Sequence, residues 1–284
     1  MNKKSLFTIL ACCMVVFSAK AQYYYQDIYN TQQTSKNLLL LKSKNVSKQT
    51  VKSLDANMEN DNDFYCERLL TKNYNALRSL TKSPSTGMSS MTSSFNSKGL
   101  LTRTVDSSAG SISNVKYSYD NAGRLIFVEG SSQARGEKYK VGESRQYVYD
   151  SLGLLSFMIH KKSMNPSDST IVTFKRDEKN NIIEEMETGK NLPGARIYYK
   201  YDDQNNLTDV YRYNAARKRM LPDYMMTYDA KQQLVEMTTV NLNTGEYLIW
   251  KYQYADDGLP SREMCYGKEK ELLGIIKYTY SYFK

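Results

Sequence analysis

The sequence predicts an all-β protein: an antiparallel array of β-hairpins, repeating about every 26 residues, that forms one curved or spiralling sheet behind a short helical or irregular N-terminal segment. Three observations predict it. The 284 residues hold 25 Tyr against 8 Phe, 1 Trp and 5 Pro, and a ring that packs while its hydroxyl stays wet suits a half-buried pleated surface. Short runs alternate strictly between aromatic and polar residues. A turn signature follows each run at near-constant spacing.

The chain opens like an export signal. Lys3 and Lys4 precede a twelve-residue apolar stretch from Leu6 to Phe17, too short to span a bilayer. Ala19-Lys20-Ala21 has the form of a cleavage site, which assigns residues 1–21 to a signal peptide and makes Gln22 the first mature residue. Acylation at Cys12 or Cys13 is the less favoured alternative, because it cuts the apolar stretch short. Loss of Lys3, Lys4 and Lys20 takes the net charge from +9 to +6. That excess is spread along the chain, which with export argues against nucleic acid as a partner. Apart from the signal, no apolar run is long enough for a transmembrane helix.

Residues 22–90 form a separate N-terminal segment. Ser47 to Asn62 reads as polar loop. Phe64, Leu69, Leu70, Leu77 and Leu80 have the spacing of an amphipathic helix over 63–82, ended by Ser83-Pro84-Ser85-Thr86-Gly87. Such a helix would cap an end of the array.

Residues 91–284 carry the repeat. Its anchors are Phe95, Tyr119, Tyr149, Arg176, Tyr201, Tyr228, Tyr254 and Tyr280, spaced by 24, 30, 27, 25, 27, 26 and 26 residues. Before an anchor the chain alternates: Val115, Tyr117 and Tyr119 against Lys116 and Ser118, then Trp250, Tyr252 and Tyr254 against Lys251 and Gln253. This is a strand with a packed face and a wet face, and the aromatic side should be the concave one. After the anchor comes Asp120, Asp150, Asp177, Asp202 or Asp229, whose carboxylate can bond the backbone two residues on. Four residues after the anchor stands Gly99, Gly123, Gly153, Asn180, Asn205, Gln232 or Gly258, which can take the positive φ that closes the hairpin. Leu101, Leu125, Leu155, Ile182, Leu207, Leu234 or Pro260 then begins the return strand. Looser turns are expected at Asn165-Pro166, Leu192-Pro193-Gly194, Leu221-Pro222-Asp223 and Asn243-Thr244-Gly245.

Tyr119-Asp120-Asn121-Ala122-Gly123-Arg124-Leu125 resembles the Tyr-Asp-x-x-Gly-Arg-Leu motif of bacterial YD repeats, the repeat of Rhs proteins. The resemblance covers about residues 90–284, with one full match and degenerate units elsewhere. It implies hairpins wound into a spiralling sheet and carries over no catalytic residue. The chain is also similar to small secreted bacterial repeat proteins.

The search for chemistry points away from catalysis. His160 is the only histidine and reads as a surface residue at a strand end. Asp55, Asn57, Glu59, Asp61 and Asp63 alternate as in a calcium loop, but Asn60 replaces the required Gly and Cys66 the closing Glu. No metal or cofactor is therefore expected. Glu184, Glu185 and Glu187 read as a wet strand and loop. The reading that follows is a non-enzymatic binding or structural protein, periplasmic or extracellular, with a protein or glycan partner. Tyr198, Tyr211, Tyr213 and Trp250 are the candidate ligand contacts. Cys66 and Cys265 could form a disulfide or remain thiols. Two alternatives stand beside this reading. One is a glycan hydrolase using acids in a groove. The other is an outer-membrane barrel, suggested by the aromatic end Tyr278, Tyr280, Tyr282 and opposed by acids on both faces of the strand around Glu184 and Glu185.

Overall fold

In the computed structural model the sheet does not stay open. The structure describes residues 23–284 apart from 85–86, 163–168, 190–191, 215–216 and 242–243 and the side chains of 192–194. The signal peptide, Asn165-Pro166 and Asn243 lie outside the described residues. A π-helix at Tyr24–Tyr29 runs into helix α1 (Asn30–Ser43). Eighteen strands follow. They are β1 (Val46–Asp55), β2 (Tyr65–Leu70), β3 (Ala76–Ser83), β4 (Gly87–Phe95), β5 (Leu101–Ser107) and β6 (Ser111–Tyr119). Next come β7 (Leu125–Ala134), β8 (Val141–Tyr149), β9 (Leu155–Lys161), β10 (Ser169–Arg176), β11 (Ile182–Gly189) and β12 (Leu192–Tyr201). The last are β13 (Leu207–Asn214), β14 (Arg219–Tyr228), β15 (Leu234–Val240), β16 (Tyr247–Tyr254), β17 (Pro260–Tyr266) and β18 (Leu272–Tyr282).

Each strand pairs antiparallel with the next, and β18 pairs antiparallel with β1 through Thr50↔Thr279 and Leu54↔Ile275. The result is a closed 18-stranded barrel, so the expected open sheet is corrected. Closure has a physical cause. An open array leaves two edges of unpaired N–H and C=O groups, and a twisted sheet this wide curls rather than staying flat. Asn45 completes the seam: its side-chain amide donates to the Phe283 carbonyl at 2.8 Å, and the Phe283 N–H donates to the Asn45 carbonyl at 2.9 Å.

The helix expected over 63–82 does not form; β2, a turn and β3 occupy that stretch. The inward positions of β3 are Ser79, Thr81 and Ser83, all buried. With small polar residues turned inward, the strand shows no apolar alternation, and its leucines mimic a helical spacing. Likewise β1 replaces the loop expected over 47–62 and turns Gln49 and Ser53 inward beside Val51. Leu221-Pro222-Asp223 lies within β14, where Pro222 sits at a register shift rather than a turn.

The anchor turns share one geometry. In each, the left-handed position is filled: Tyr74 (φ 56°), Gly99 (77°), Gly123 (82°), Gly153 (77°), Asn180 (66°), Asn205 (63°), Gln232 (60°) and Gly258 (85°). Asp150 Oδ1 accepts the N–H groups of Leu152 and Leu154 at 3.0 and 2.9 Å, and Asp177, Asp202 and Asp229 do the same in their turns. Every anchor from Phe95 to Tyr254 stands at a shift in register, the mark of a β-bulge. The anchor hydroxyls also interlock successive units. Tyr119, Tyr149, Tyr201, Tyr228 and Tyr254 each donate to the carbonyl that opens the previous return strand (Leu101, Leu125, Ile182, Leu207 and Leu234) at 2.8 Å. Tyr280 does so to Pro260 at 2.7 Å.

The packed face is the inner one. The segment from Tyr23 to Tyr29 touches residues on strands from β8 to β14, among them Tyr147, His160, Glu185, Tyr199, Tyr224 and Tyr228. Only the concave side of a closed sheet lets one short segment reach so many strands. Val128, Met158, Val172, Ile197 and Val210 line this core and are fully buried. Helix α1 continues toward the anchor turns, where Leu38 packs with Leu70, Tyr74, Phe95, Leu101 and Leu259.

Candidate functional site: a polar latch inside the barrel

The densest chemistry lies where the chain enters the lumen. The first backbone N–H groups of a helix lack partners within it. Here one wall carboxylate takes two of them: Glu185 Oε1 accepts the Tyr23 N–H at 3.0 Å, and Oε2 accepts the Tyr24 N–H at 2.9 Å. Glu185 is 1% exposed. Burial pushes its carboxyl up to about 7, and the two amides offset only part of that.

A second set of bonds surrounds it. The Tyr23 hydroxyl lies 2.8 Å from His160 Nδ1. Glu187 Oε1 lies 3.3 Å from the same nitrogen, and Glu143 Oε2 lies 3.2 Å from Nε2. Thr170 donates to Glu187 at 2.6 Å, and Lys162 Nζ is 3.3 Å away. Burial alone would lower the pKa of His160; its bonds to Glu143 and Glu187 outweigh that and raise it. In return His160 holds Glu187 down at about 2, against the desolvation that opposes it. One turn along the helical segment, Asp27 accepts from the Tyr147 hydroxyl at 2.5 Å and pairs with Arg145 at 3.2 Å. Arg145 also reaches Glu143 at 3.1 Å.

Sequence reading missed these roles. His160, expected at the surface, is 4% exposed. Its strand alternates inward at Met158 and His160, a pattern that local sequence does show. Glu184, Glu185 and Glu187 are all buried, not wet: Glu185 and Glu187 point inward, and Glu184, on the opposite face, is 8% exposed and lies against Lys175 at 3.2 Å and Arg196 at 3.5 Å. Trp250, a candidate ligand contact, is turned inward and buried with Val51, Cys66, Cys265 and Ile276. It follows the inward register of its strand and is not available to a ligand. Cys66 and Cys265 are both buried and not bonded to each other; β18 and β1 lie between their strands. The other three tyrosines are on the outer wall. Tyr198 and Tyr211 stack with centroids 5.9 Å apart, Lys200 lies over the Tyr211 ring at 5.2 Å, and Tyr213 is exposed.

A paired-carboxylate reading of Glu185 and Glu187 is natural, since their environments push their pKa values apart. Both are committed to internal bonds, however. Two surface depressions of about 360 and 380 Å³, lined around Arg78 and Arg135 and around Gln233 and Tyr252, are wide open. Among the described residues no cluster of His, Cys, Asp and Glu is arranged to hold a metal ion, and no helix is long and apolar enough to cross a membrane.

No known protein family matches the chain, and no curated protein matches it. Among solved structures it is similar to the TcdB2-TccC3-Cdc42 complex, at 14% identity and a TM-score of 0.36, over 77% of this chain and 12% of that one. The Photorhabdus luminescens Tc holotoxin pore gives 13% identity, a TM-score of 0.34 and the same coverage. This chain therefore spans about an eighth of those it matches first. A porin-like protein from Bacteroides uniformis gives 10% identity and a TM-score of 0.43, over 83% of this chain and 98% of that one. At these identities and scores the likenesses carry no argument about function.

Proposed function

We propose that the chain is an exported, non-enzymatic barrel that stands in water, in the periplasm or outside a bacterial cell, and binds or supports a partner with its outer wall. The observation that carries this is charge at mid-strand on that wall. Lys116 and Glu129 pair at 3.3 Å with side chains 58% and 53% exposed, and Lys251 and Glu236 pair at 3.7 Å with 51% and 40%. Lys48 with Glu67 adds a third outward pair, with side chains 37% and 22% exposed. A wall against lipid needs an apolar row on every strand, and a Lys or Arg at the bilayer midplane costs about 2–4 kcal/mol.

Export rests on the leader, and kinship with YD repeats rests on the shared turn unit. The stacked Tyr198 and Tyr211 with Lys200 supply a rigid aromatic platform for a protein or glycan. The non-catalytic reading is supported by the commitment of the buried acids to the latch. A second reading, an outer-membrane barrel, is favoured by closure of an even number of antiparallel strands without an edge. Cell fractionation separates the two. The proposal expects the protein in the soluble fraction without detergent; a pellet that resists alkaline carbonate identifies the membrane reading. Glycan-array and pull-down binding that is lost in Tyr198→Ala with Tyr211→Ala would place the partner on the platform.

A further inference from the structure

The antiparallel order puts the turns of the barrel on two rims. Every anchor turn leads from an even-numbered strand to an odd-numbered one, so the turns β5–β6, β7–β8, β9–β10 and β13–β14 lie together at the opposite rim. Among the described residues, most of the large apolar side chains that face water are at that rim. Ile112 stands near the start of β6 and Ile171 near that of β10, and Tyr213 and Met220 pair across β13 and β14. The extreme case is the β7–β8 turn, where Tyr139 is 85% exposed and Val141 72%. Lys138 and Lys140 flank that ring and are exposed too, and the β9–β10 and β13–β14 turns add Lys161, Arg217, Lys218 and Arg219. None of these six bases pairs with an acid among the described residues. Glu137 is the only acid described in these turns. The acidic β1–β2 loop, with Asp55, Glu59, Asp61 and Asp63, belongs to the same rim but lies half-way round the barrel from the middle of the basic arc.

We propose that this arc of the rim docks the barrel on a bilayer surface rich in anionic lipid headgroups. A tyrosine suits that layer, with its ring toward the apolar side and its hydroxyl wet. Lysines and arginines reach the phosphates while their stems cover apolar surface. The apolar residues stand singly on separate turns rather than in one contiguous patch. A folded partner has to match such an arrangement in shape; a fluid headgroup layer does not. The exposed charge pairs at mid-strand, Lys116 with Glu129 and Lys251 with Glu236, stop entry at the rim. The acidic β1–β2 loop tilts away from the surface. The inference rests on the water-facing wall proposed above and adds the surface on which the barrel stands.

The test is co-sedimentation of the intact protein with vesicles of phosphatidylcholine, alone or mixed with an equal part of phosphatidylglycerol. The proposal expects binding to the mixed vesicles only, weakened at least about tenfold at about 1 M salt, where the screening length falls to about 3 Å. Lys138→Glu with Lys140→Glu should weaken binding about tenfold or more. Tyr139→Ser with Val141→Ser should weaken it and leave its salt dependence in place. Both pairs change exposed side chains of one turn, and an unchanged melting temperature shows the fold intact; should one pair not fold, the other still decides. Lys231→Glu, an exposed base in an anchor turn, should leave binding as it is. An equal loss there would reduce the effect to net charge and overturn the docking arc. Absence of binding to either vesicle overturns the proposal and leaves the water-facing wall standing. Binding to heparin without binding to vesicles overturns it too, by giving the bases to a soluble polyanion. Binding to both vesicles that survives salt and alkaline carbonate contradicts the water-facing wall itself.

Discussion

At the scale of single residues, Glu185 does the work of a helix cap supplied by the barrel wall. Glu185→Ala leaves the Tyr23 and Tyr24 amides buried without an acceptor, so a loss of about 1–3 kcal/mol is expected in urea unfolding. Glu185→Gln keeps one oxygen and should lose less. The His160 and Glu187 pair sets a pH dependence. Glu187 is held near 2, so its contribution is present above its ordinary range near 4.5 and is lost as pH falls through about 2. His160 is raised, so its contribution is full below about 6.5 and is lost as pH rises through its raised value. The pair should therefore stabilise most between roughly pH 4.5 and 6.5. Thermal melts from pH 2 to 9 should show a broad maximum there, flattened on both sides in Glu187→Gln. An unchanged profile in that variant would remove the pair from the account.

At the scale of elements, the hairpin turn is where sequence and structure agree most closely, because its requirements are local. The backbone takes a positive φ four positions after the anchor, which Gly or Asn supplies in six of the eight turns and Tyr74 and Gln232 in the other two, and an Asp before it collects two amides. Gly123→Ala should cost about 1–2 kcal/mol for its left-handed backbone. Gly110→Ala, with no positive φ and open space around it, should be near neutral. The first such turn, at Thr71 to Asn75, escaped sequence reading because Leu70, Thr71 and Tyr74 stand where other units have Tyr, Asp and Gly or Asn. The hydroxyl interlock was hidden for another reason: a Tyr side chain does not announce which carbonyl it will reach. Tyr201→Phe should lose about 1 kcal/mol by deleting its bond to Ile182.

At the scale of the whole molecule, the aromatic face, the Lys face and the strand alternation were legible, while closure and the latch were not. Closure depends on β1 meeting β18, two strands whose sequences hold nothing complementary beyond alternation. The latch joins residues far apart, with Tyr23 and Glu185 separated by 162 positions. No local pattern encodes such a pairing. Segment 24–43 was missed as a helix because its Tyr, Thr, Ser and Asn residues are middling helix formers. It is held by contact with the wall rather than by an apolar stripe of its own.

The central claim is a closed barrel that stands in water. Hydrogen exchange in detergent-free buffer tests it most directly, through the backbone amides of β1 and β18. A closed barrel in water predicts that residues 46–55 and 272–282 are protected as well as β12 in the middle of the array. Exchange of those two strands at the rate of free edges would contradict closure, and a protein that stays in solution only with detergent would contradict the water-facing wall.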